Sequence, residues 1–264
     1  MTWDTAGWTE RRRTSILQNT HNETRQMCVP ITTCVLHTLD RTPLWDINCL
    51  SMPTPQRNQP ADPQDTAFDR SYYYGRVYDN YDAFLDWEQT AKHQMQRYAF
   101  RSFLDIGCGL GNLVNEIKQQ LEERYGEECD VVGVDVSAFA IAQASVPHVL
   151  RASCVILPFA DARFDEVFIL GTFAYLADDT DVEAAMQEAF RVAGGFVVFE
   201  DVYQNQEEGS DDWDPNRKRV HTQEEWASWW HRILGESADV LISGDEIVIT
   251  KKGFTNDDLR LTNR

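Results

Sequence analysis

The stretch that most constrains the fold is residues 103–112, which read FLDIGCGLGN. An apolar segment runs through Asp105 into a turn with three closely spaced glycines. Gly107 and Gly109 allow a sharp turn and close approach of a ligand, because no side chain blocks either. A carboxylate at a strand end suits a cationic group, whereas it would repel a pyrophosphate. The dinucleotide fingerprint G-x-G-x-x-G also fails, because its third glycine would fall on Asn112.

The residues after this loop predict alternating helices and strands. Apolar residues at helical spacing between Leu113 and Leu121 predict a helix that ends at Gly126. The run VVGVDVS then predicts a buried strand that ends in Asp135, where α/β folds place an acid on ribose hydroxyls. Residues 156–170, ILPFADARFDEVFIL, predict another buried strand.

The C-terminal half predicts two more helices and three more strands. Thr180–Glu183 is a capping-box pattern that predicts a helix start, and Gly194–Gly195 predicts its end before the strand FVVFEDV. Thr222–Glu225 is a second capping box, and it opens a helix whose tryptophans form one apolar face and are expected in the core. Two short strands flank Ser243-Gly244-Asp245 and predict an antiparallel hairpin.

In the order of these segments the chain resembles the class I S-adenosylmethionine-dependent methyltransferases. It is most similar to their small-molecule branch, which includes enzymes of quinone biosynthesis and natural products. The resemblance covers roughly residues 70–252. It implies an α/β, Rossmann-like, doubly wound fold with a seven-stranded sheet that is mostly parallel and closes with an antiparallel C-terminal hairpin. The implied cofactor is S-adenosyl-L-methionine, and the implied product is S-adenosyl-L-homocysteine.

Carried over residue by residue, the resemblance implies a cofactor site. Asp105, Gly107 and Gly109 would hold the methionine part, with Asp105 accepting a hydrogen bond from its amino group. Asp135 would accept from the ribose hydroxyls, and Val136 would cover one face of the adenine. The full implied cofactor-binding set is Asp105, Gly107, Cys108, Gly109, Asp135, Val136, Ser153, Cys154 and Gly171.

The chain departs from the family pattern at one cofactor position. Many relatives carry Gly-Asp-Ala shortly before Leu-Pro-Phe, and the acid accepts from the adenine amino group. Here the segment is Ala152-Ser153-Cys154. Ser153 would accept that hydrogen bond more weakly, or a backbone carbonyl would replace it.

Residues that contact the methyl acceptor are expected beyond the carboxyl ends of the strands and in a tyrosine-rich segment from Ser71 to Tyr98. In the resembled family this segment often covers the cofactor; the alternative is that its rings pack on the sheet edge. Aromatic rings beside acids would suit a cationic or amine acceptor. The candidate catalytic residues are Glu200, Asp201, Tyr175 and His221, of which His221 fits an ordinary loop position better than a base. The candidate substrate residues are Tyr74, Tyr78, Thr172 and Tyr203.

The charge composition disfavours some classes of binding partner. The net charge is −19, from 24 Lys plus Arg against 43 Asp plus Glu. Such a surface repels a phosphate backbone, so nucleic acid is disfavoured as a partner and a small-molecule substrate is expected. Residues 1–65 are Pro-rich and predict an extension, partly extended or disordered, ahead of a methyltransferase domain over 66–264.

The remaining composition predicts a cytoplasmic protein with no membrane span. No apolar run approaches the roughly 20 residues that a bilayer requires, and the N-terminus lacks the apolar segment of a signal peptide. The six cysteines lack metal-ligand spacing, so free thiols and no metal site are expected. The sequence leaves the oligomeric state open.

These observations predict transfer of a methyl group to an O or N nucleophile of a small molecule. Two alternatives keep the fold: a protein side-chain methyltransferase that docks through the N-terminal extension, or a non-catalytic methyltransferase-like interaction subunit. The missing acid before Leu-Pro-Phe favours the subunit, and the intact glycine loop with Asp135 disfavours it. An NAD-dependent oxidoreductase is a more distant alternative.

Overall fold

The structure is a computed structural model that describes residues 67–126, 129–201 and 214–254. The predicted N-terminal extension over 1–65 and the candidate substrate residue Tyr203 lie outside these ranges.

Seven described strands form one sheet. They are β1 (Ser102–Ile106), β2 (Asp130–Asp135), β3 (Val149–Arg151), β4 (Phe164–Leu170), β5 (Ala193–Glu200), β6 (Ala238–Ser243) and β7 (Glu246–Lys251). Their order is β3-β2-β1-β4-β5-β7-β6. The first five strands pair in parallel, and β7 pairs antiparallel with both β5 and β6. The predicted sheet and its C-terminal hairpin are therefore confirmed.

Five helices and four single turns accompany the sheet in the described ranges. The helices are α1 (Trp87–Arg97), α2 (Asn112–Tyr125), α3 (Ala138–Gln143), α4 (Asp179–Val192) and α5 (Gln223–Leu234). A π-turn spans Tyr72–Arg76, and 3-10 turns span Tyr81–Ala83, Phe173–Tyr175 and Gly235–Ser237.

The two faces of the sheet carry separate cores, as a doubly wound fold requires. On β4, Val167 and Ile169 point into a core with Met186 of α4 and Trp230 of α5, whereas Phe168 points into a core with α1 and α2. This alternation follows from the period of two along a strand. The carboxyl ends of the parallel strands consequently meet at one edge, where ligands bind in such folds.

Several local predictions are confirmed. Helix α2 ends at a glycine, Gly126, whose φ of +83° suits the helix end. The capping box at Thr222 is complete, because Thr222 Oγ1 accepts from Glu225 N and the Glu225 carboxylate accepts from Thr222 N. Trp226 and Trp230 of this helix are fully buried.

The capping box predicted at Thr180 is wrong. Helix α4 begins two residues earlier than this box predicts, at Asp179, with Asp178 as its N-cap and no side-chain capping hydrogen bond. The carboxylates of Asp179 and Asp181 lie in the first turn, where the helix dipole favours negative charge. These two acids therefore stabilise the N-terminus of α4 at this earlier residue, although no capping box forms.

The glycine pair predicted to precede the strand lies inside β5 instead. A Cβ at Gly195 would lie 2.6 Å from the carbonyl oxygen of Asp165. A Cβ at Gly194 would lie 3.0 Å from the carbonyl oxygen of Ala162. The pairing of β5 with β4 shifts register here. These glycines therefore allow the two backbones to come close rather than ending a helix.

No helix in the described ranges is long and apolar enough to cross a membrane.

Candidate cofactor and acceptor site

The loop between β1 and α2 is held against the end of β2. The backbone N–H groups of Gly107 and Cys108 both donate to the carbonyl oxygen of Val134, at 2.8 Å and 3.0 Å. Gly107 has a φ of +82°, and a Cβ there would overlap the side chain of Thr172. A glycine is thus required by both the backbone conformation and the neighbouring side chain.

Gly109 lies beneath the tyrosine-rich segment. Its φ is +54°, and a Cβ there would lie 2.5 Å from the hydroxyl oxygen of Tyr81. Its N–H donates to Oδ2 of Asp135 at 2.8 Å. The glycine loop is therefore covered by an aromatic ring on one side and tied to β2 on the other.

Asp105 is a buried carboxylate at the end of β1. It is only 4% exposed, and no residue in the described ranges hydrogen-bonds its carboxylate. Burial, with a smaller contribution from the charge of Asp135, raises its pKa to about 8. A cationic group placed beside it would restore the ionised form.

Asp135 organises the adjacent part of the site. Its Oδ1 accepts from the backbone N–H of Ser137 at 2.8 Å, while its Oδ2 accepts from Gly109. Burial raises the pKa of Asp135, and these backbone hydrogen bonds oppose the rise. Each carboxylate oxygen has a further lone pair that can accept from a ligand hydroxyl.

The remaining implied cofactor residues surround the end of β2. The backbone N–H of Ala152 donates to the carbonyl oxygen of Asp135 at 3.1 Å, which brings Ser153 and Cys154 beside that strand. Ser153 Oγ accepts from Val155 N at 3.4 Å, so the hydroxyl is engaged within its own turn. Burial raises the pKa of the Cys154 thiol.

The other members of the implied cofactor set are engaged through their backbones. The carbonyl oxygen of Val136 accepts from Arg151 Nε at 2.9 Å. Gly171 has a φ of +60°, and its N–H donates to the carbonyl oxygen of Glu200 at 2.9 Å. Gly171 thus links the carboxyl ends of β4 and β5.

A tyrosine lid, here defined as residues 68–84, covers the glycine loop. Tyr72 and Tyr73 are 5% and 3% exposed. Tyr73 stacks on Phe139 of α3 at 5.8 Å, and Tyr81 contacts Tyr73 edge-on at 5.0 Å. These rings therefore pack on one another and on the glycine loop, not only on the sheet edge.

The lid also meets residues from the ends of β4 and β5 through buried hydroxyls. The hydroxyl of Tyr72 donates to that of Tyr175 at 2.8 Å, and Tyr175 donates to Oδ2 of Asp214 at 2.8 Å. Tyr78 and Arg217 lie in the same cluster, and the charge of Arg217 partly offsets the burial that raises the pKa of Tyr78. The structure thus brings together the candidates Tyr78 and Tyr175.

Two other candidates hold backbone segments in place. Thr172 donates from Oγ1 to the carbonyl oxygen of Ile106 at 3.0 Å, which joins the ends of β1 and β4. Asp201 Oδ2 accepts from the backbone N–H of Ala174 at 3.1 Å. Both lie beside the cluster, and both position the turn that carries Tyr175.

Three candidates have their described contacts elsewhere. Burial, followed by the charges of Glu246 and Asp245, raises the pKa of Glu200 to about 8, so Glu200 faces the β7 side. His221 packs edge-on against Trp226 at 5.0 Å at the start of α5. Tyr74 donates to Asp82 Oδ2 at 3.0 Å within the lid. None of these contacts joins Tyr72 or Tyr175.

Sequence reasoning missed several residues of the site. The density of tyrosines pointed to the lid and to Tyr74 and Tyr78, but it did not distinguish the other rings. Asp214 and Arg217 belong to no motif that would single them out in the sequence. The missed residues are Tyr72, Tyr73, Tyr81, Asp214 and Arg217.

Part of the chain that forms this site matches a known protein family. Residues 103–194, from β1 into β5, match a family model described as a methyltransferase domain. These residues thus match a methyltransferase domain, and the fold is that of the class I S-adenosylmethionine-dependent methyltransferases. No protein of curated function matches the chain.

Solved structures support the fold of this methyltransferase. One is a chain in complex with the Trm112 methyltransferase activator of Haloferax volcanii, at 17% identity and a TM-score of 0.52. That match covers 73% of this chain and 99% of the other. A second is a SAM-dependent methyltransferase from Archaeoglobus fulgidus, at 14% identity and a TM-score of 0.52, covering 70% of this chain and 100% of the other. At these identities the likeness shows the fold.

The residues present fit S-adenosylmethionine, which is the cofactor of this enzyme. The buried Asp105 carboxylate receives no hydrogen bond from the described residues, and it matches the ammonium group of the methionine part. Gly107 and Gly109 allow close approach of the ligand, and Asp135 offers lone pairs to ribose hydroxyls. When bound, the cofactor supplies a methyl group that its sulfonium has already activated.

Proposed function

We propose that this methyltransferase transfers the methyl group to an O or N nucleophile of a small molecule. The observation that carries the proposal is the aromatic lid, because Tyr81 lies directly on Gly109 of the cofactor loop. An acceptor must therefore reach the methyl group beneath the lid, in a space lined by tyrosines. Such enclosure suits a small molecule better than a folded protein or a nucleic acid.

The protein's contribution to this reaction is alignment and exclusion of water. Asp105 and the glycine loop orient the donor, and Thr172 joins the strand ends on which donor and acceptor meet. The lid rings exclude water from the reacting atoms. The turn at Phe173–Tyr175 presents the Tyr175 hydroxyl on the acceptor side.

The test is methyl transfer from labelled S-adenosylmethionine to a panel of phenol, 4-nitrophenol and benzylamine, with casein as a protein acceptor. We expect label in at least one small molecule and none in casein. Label in casein alone would contradict the proposal and favour a protein acceptor. Deletion of residues 1–65 would then show whether the extension docks that protein.

A further inference from the structure

The buried Tyr72 and Asp214 and the half-buried Tyr175 form a directional chain of hydrogen bonds on the acceptor side of the lid. Asp214 is 3% exposed, and its Oδ1 accepts from the backbone N–H of Asn216 at 2.8 Å. Its Oδ2 accepts from Tyr175, which in turn accepts from Tyr72, each at 2.8 Å. The chain thus runs from the lid to a carboxylate in the segment after β5.

The direction of this chain follows from the chemistry of its last member. An ionised carboxylate only accepts, so the single proton of Tyr175 points to Asp214. Tyr175 must therefore accept from Tyr72, and this uses the single proton of Tyr72. The oxygen of Tyr72 is left with two lone pairs. The hydroxyl of Tyr78, which hydrogen-bonds with both Tyr72 and Tyr175, can occupy one of them, and the other can accept from a ligand that donates an O–H or N–H.

The open end lies next to the cofactor side of the site. Tyr72 contacts Tyr73 edge-on at 5.0 Å, and Tyr73 stacks on Phe139 beside the end of β2. Tyr175 follows Thr172, whose side chain packs against Gly107 of the cofactor loop. The hydrogen-bonded chain therefore lies beside the loop at which the donor is expected to bind.

The positive charge of Arg217 stabilises ionised forms of the hydrogen-bonded groups. Its charge lowers the pKa of Tyr175 against the larger effect of burial, and Asp214 and Tyr175 raise the pKa of Arg217 itself. A positive charge beside the hydroxyls stabilises a transient negative charge on any of them. Proton movement toward Asp214 consequently avoids an isolated buried anion.

We propose that Tyr72, Tyr175 and Asp214 form a proton relay in which Asp214 is the terminal base for the methyl acceptor. The acceptor class is a hydroxyl or neutral amine that has a proton to lose. This inference rests on the proposed transfer to an O or N nucleophile. Tyr72 contacts the acceptor in this scheme, whereas Tyr175 and Asp214 act through it.

The acceptor's lone pair forms the bond to the methyl carbon, and the bond from that carbon to sulfur breaks with its electron pair remaining on sulfur. The acceptor's proton passes to the oxygen of Tyr72, the proton of Tyr72 passes to Tyr175, and that of Tyr175 passes to Asp214. Asp214 ends neutral and returns the proton to water after the products leave.

The test compares phenol with 4-nitrophenol in single turnovers at about pH 8.5, where the first is largely neutral and the second largely ionised. In Asp214→Asn the amide oxygen still accepts from Tyr175 but takes no proton. We expect this variant and Tyr175→Phe to slow methylation of phenol about 10²–10⁴-fold. With 4-nitrophenol, which needs no base, we expect a loss under about tenfold. The matched control is Asp178→Asn, which removes an exposed carboxylate at the start of α4.

Several outcomes separate the relay from the proposed function. Equal losses of rate with both phenols would show that Asp214 only supports the structure, and this would overturn the relay. Undiminished turnover of phenol by the variants would also overturn it. Either result would leave the proposed function intact. Calorimetric binding of S-adenosylhomocysteine, unchanged in both variants, confirms that they are folded. Absence of turnover by the wild-type enzyme on every small molecule of the panel would overturn the proposed function, and the relay with it.

Discussion

At the scale of single residues, the buried carboxylate of Asp105 should lower the stability of the free protein, as a group kept for ligand binding would. Its carboxylate is buried, lacks a hydrogen bond from the described residues, and has a pKa raised to about 8. Burial without compensation is costly and is tolerated where function requires it. The loop sequence predicted this residue, but the extent of its isolation depends on packing that the sequence does not state.

We expect Asp105→Asn to raise the free energy of unfolding of the free protein. Folding favours the neutral carboxyl, so its contribution to stability is fully present below the unfolded pKa of about 4 and is lost as pH rises toward about 8. The gain in the variant should therefore be larger at pH 8 than at pH 5, on the order of a few kcal/mol at most. Urea unfolding of the wild type and the variant at both pH values measures this gain. A gain at pH 8 that is no larger than the gain at pH 5 would contradict this account of Asp105.

The same carboxylate makes cofactor affinity depend on pH. An ammonium group binds the ionised form of Asp105, so binding must release a proton below about pH 8. Affinity for S-adenosylhomocysteine should increase between about pH 6 and 8. Calorimetry at pH 7 in phosphate and in Tris should give different apparent enthalpies, because these buffers take up the released proton with different heats. Identical enthalpies in the two buffers would rule out this linkage.

At the scale of the elements, the start of α5 is fixed by local chemistry that the sequence displays. Thr222→Ala removes the hydrogen bond to Glu225 N and should lower the free energy of unfolding by about 1 kcal/mol. Thr222→Ser keeps the accepting oxygen and serves as the matched control. Thermal or urea unfolding measures both variants. Equal stability of Ala and Ser at this position would show that the cap contributes nothing.

The start of β5 is fixed instead by a neighbouring strand. Gly195→Ala would place a Cβ 2.6 Å from the Asp165 carbonyl oxygen, and a backbone atom cannot move aside as a flexible side chain can. We expect a loss on the order of a few kcal/mol. Gly235→Ala, with φ of +55°, ψ of −134° and no atom within 4 Å, should cost only the strain of that backbone conformation, about 1–3 kcal/mol. Urea unfolding compares them, and a smaller loss at Gly195 than at Gly235 would refute this packing argument.

At the scale of the whole molecule, local apolar patterns predicted most of the sheet. Strands β1, β2, β4 and β5 are long apolar runs, which a buried parallel sheet requires. Strand β3 was missed because Val149–Arg151 is only three residues long and half-buried. Helix α3, with six residues, likewise has too little pattern to predict.

The acceptor side of the site was harder to predict because its contacts join distant parts of the chain. Tyr72 and Tyr175 are 103 residues apart, and Tyr175 and Asp214 are 39 apart. No local spacing encodes such pairs, whereas the glycine loop and Asp105 are neighbours in sequence. The cofactor side could therefore be named from a short motif, and the acceptor side required the fold.

The most direct measurement is calorimetric titration of the full chain with S-adenosylmethionine and S-adenosylhomocysteine, with NADH as the control ligand. The central claim predicts micromolar binding of both sulfur compounds and no binding of NADH. It also predicts that Asp105→Asn binds S-adenosylhomocysteine at least tenfold more weakly than the wild type, a loss of about 1.4 kcal/mol in binding free energy. A folded wild-type protein that binds neither sulfur compound would contradict the claim that Asp105 and the glycine loop hold this cofactor.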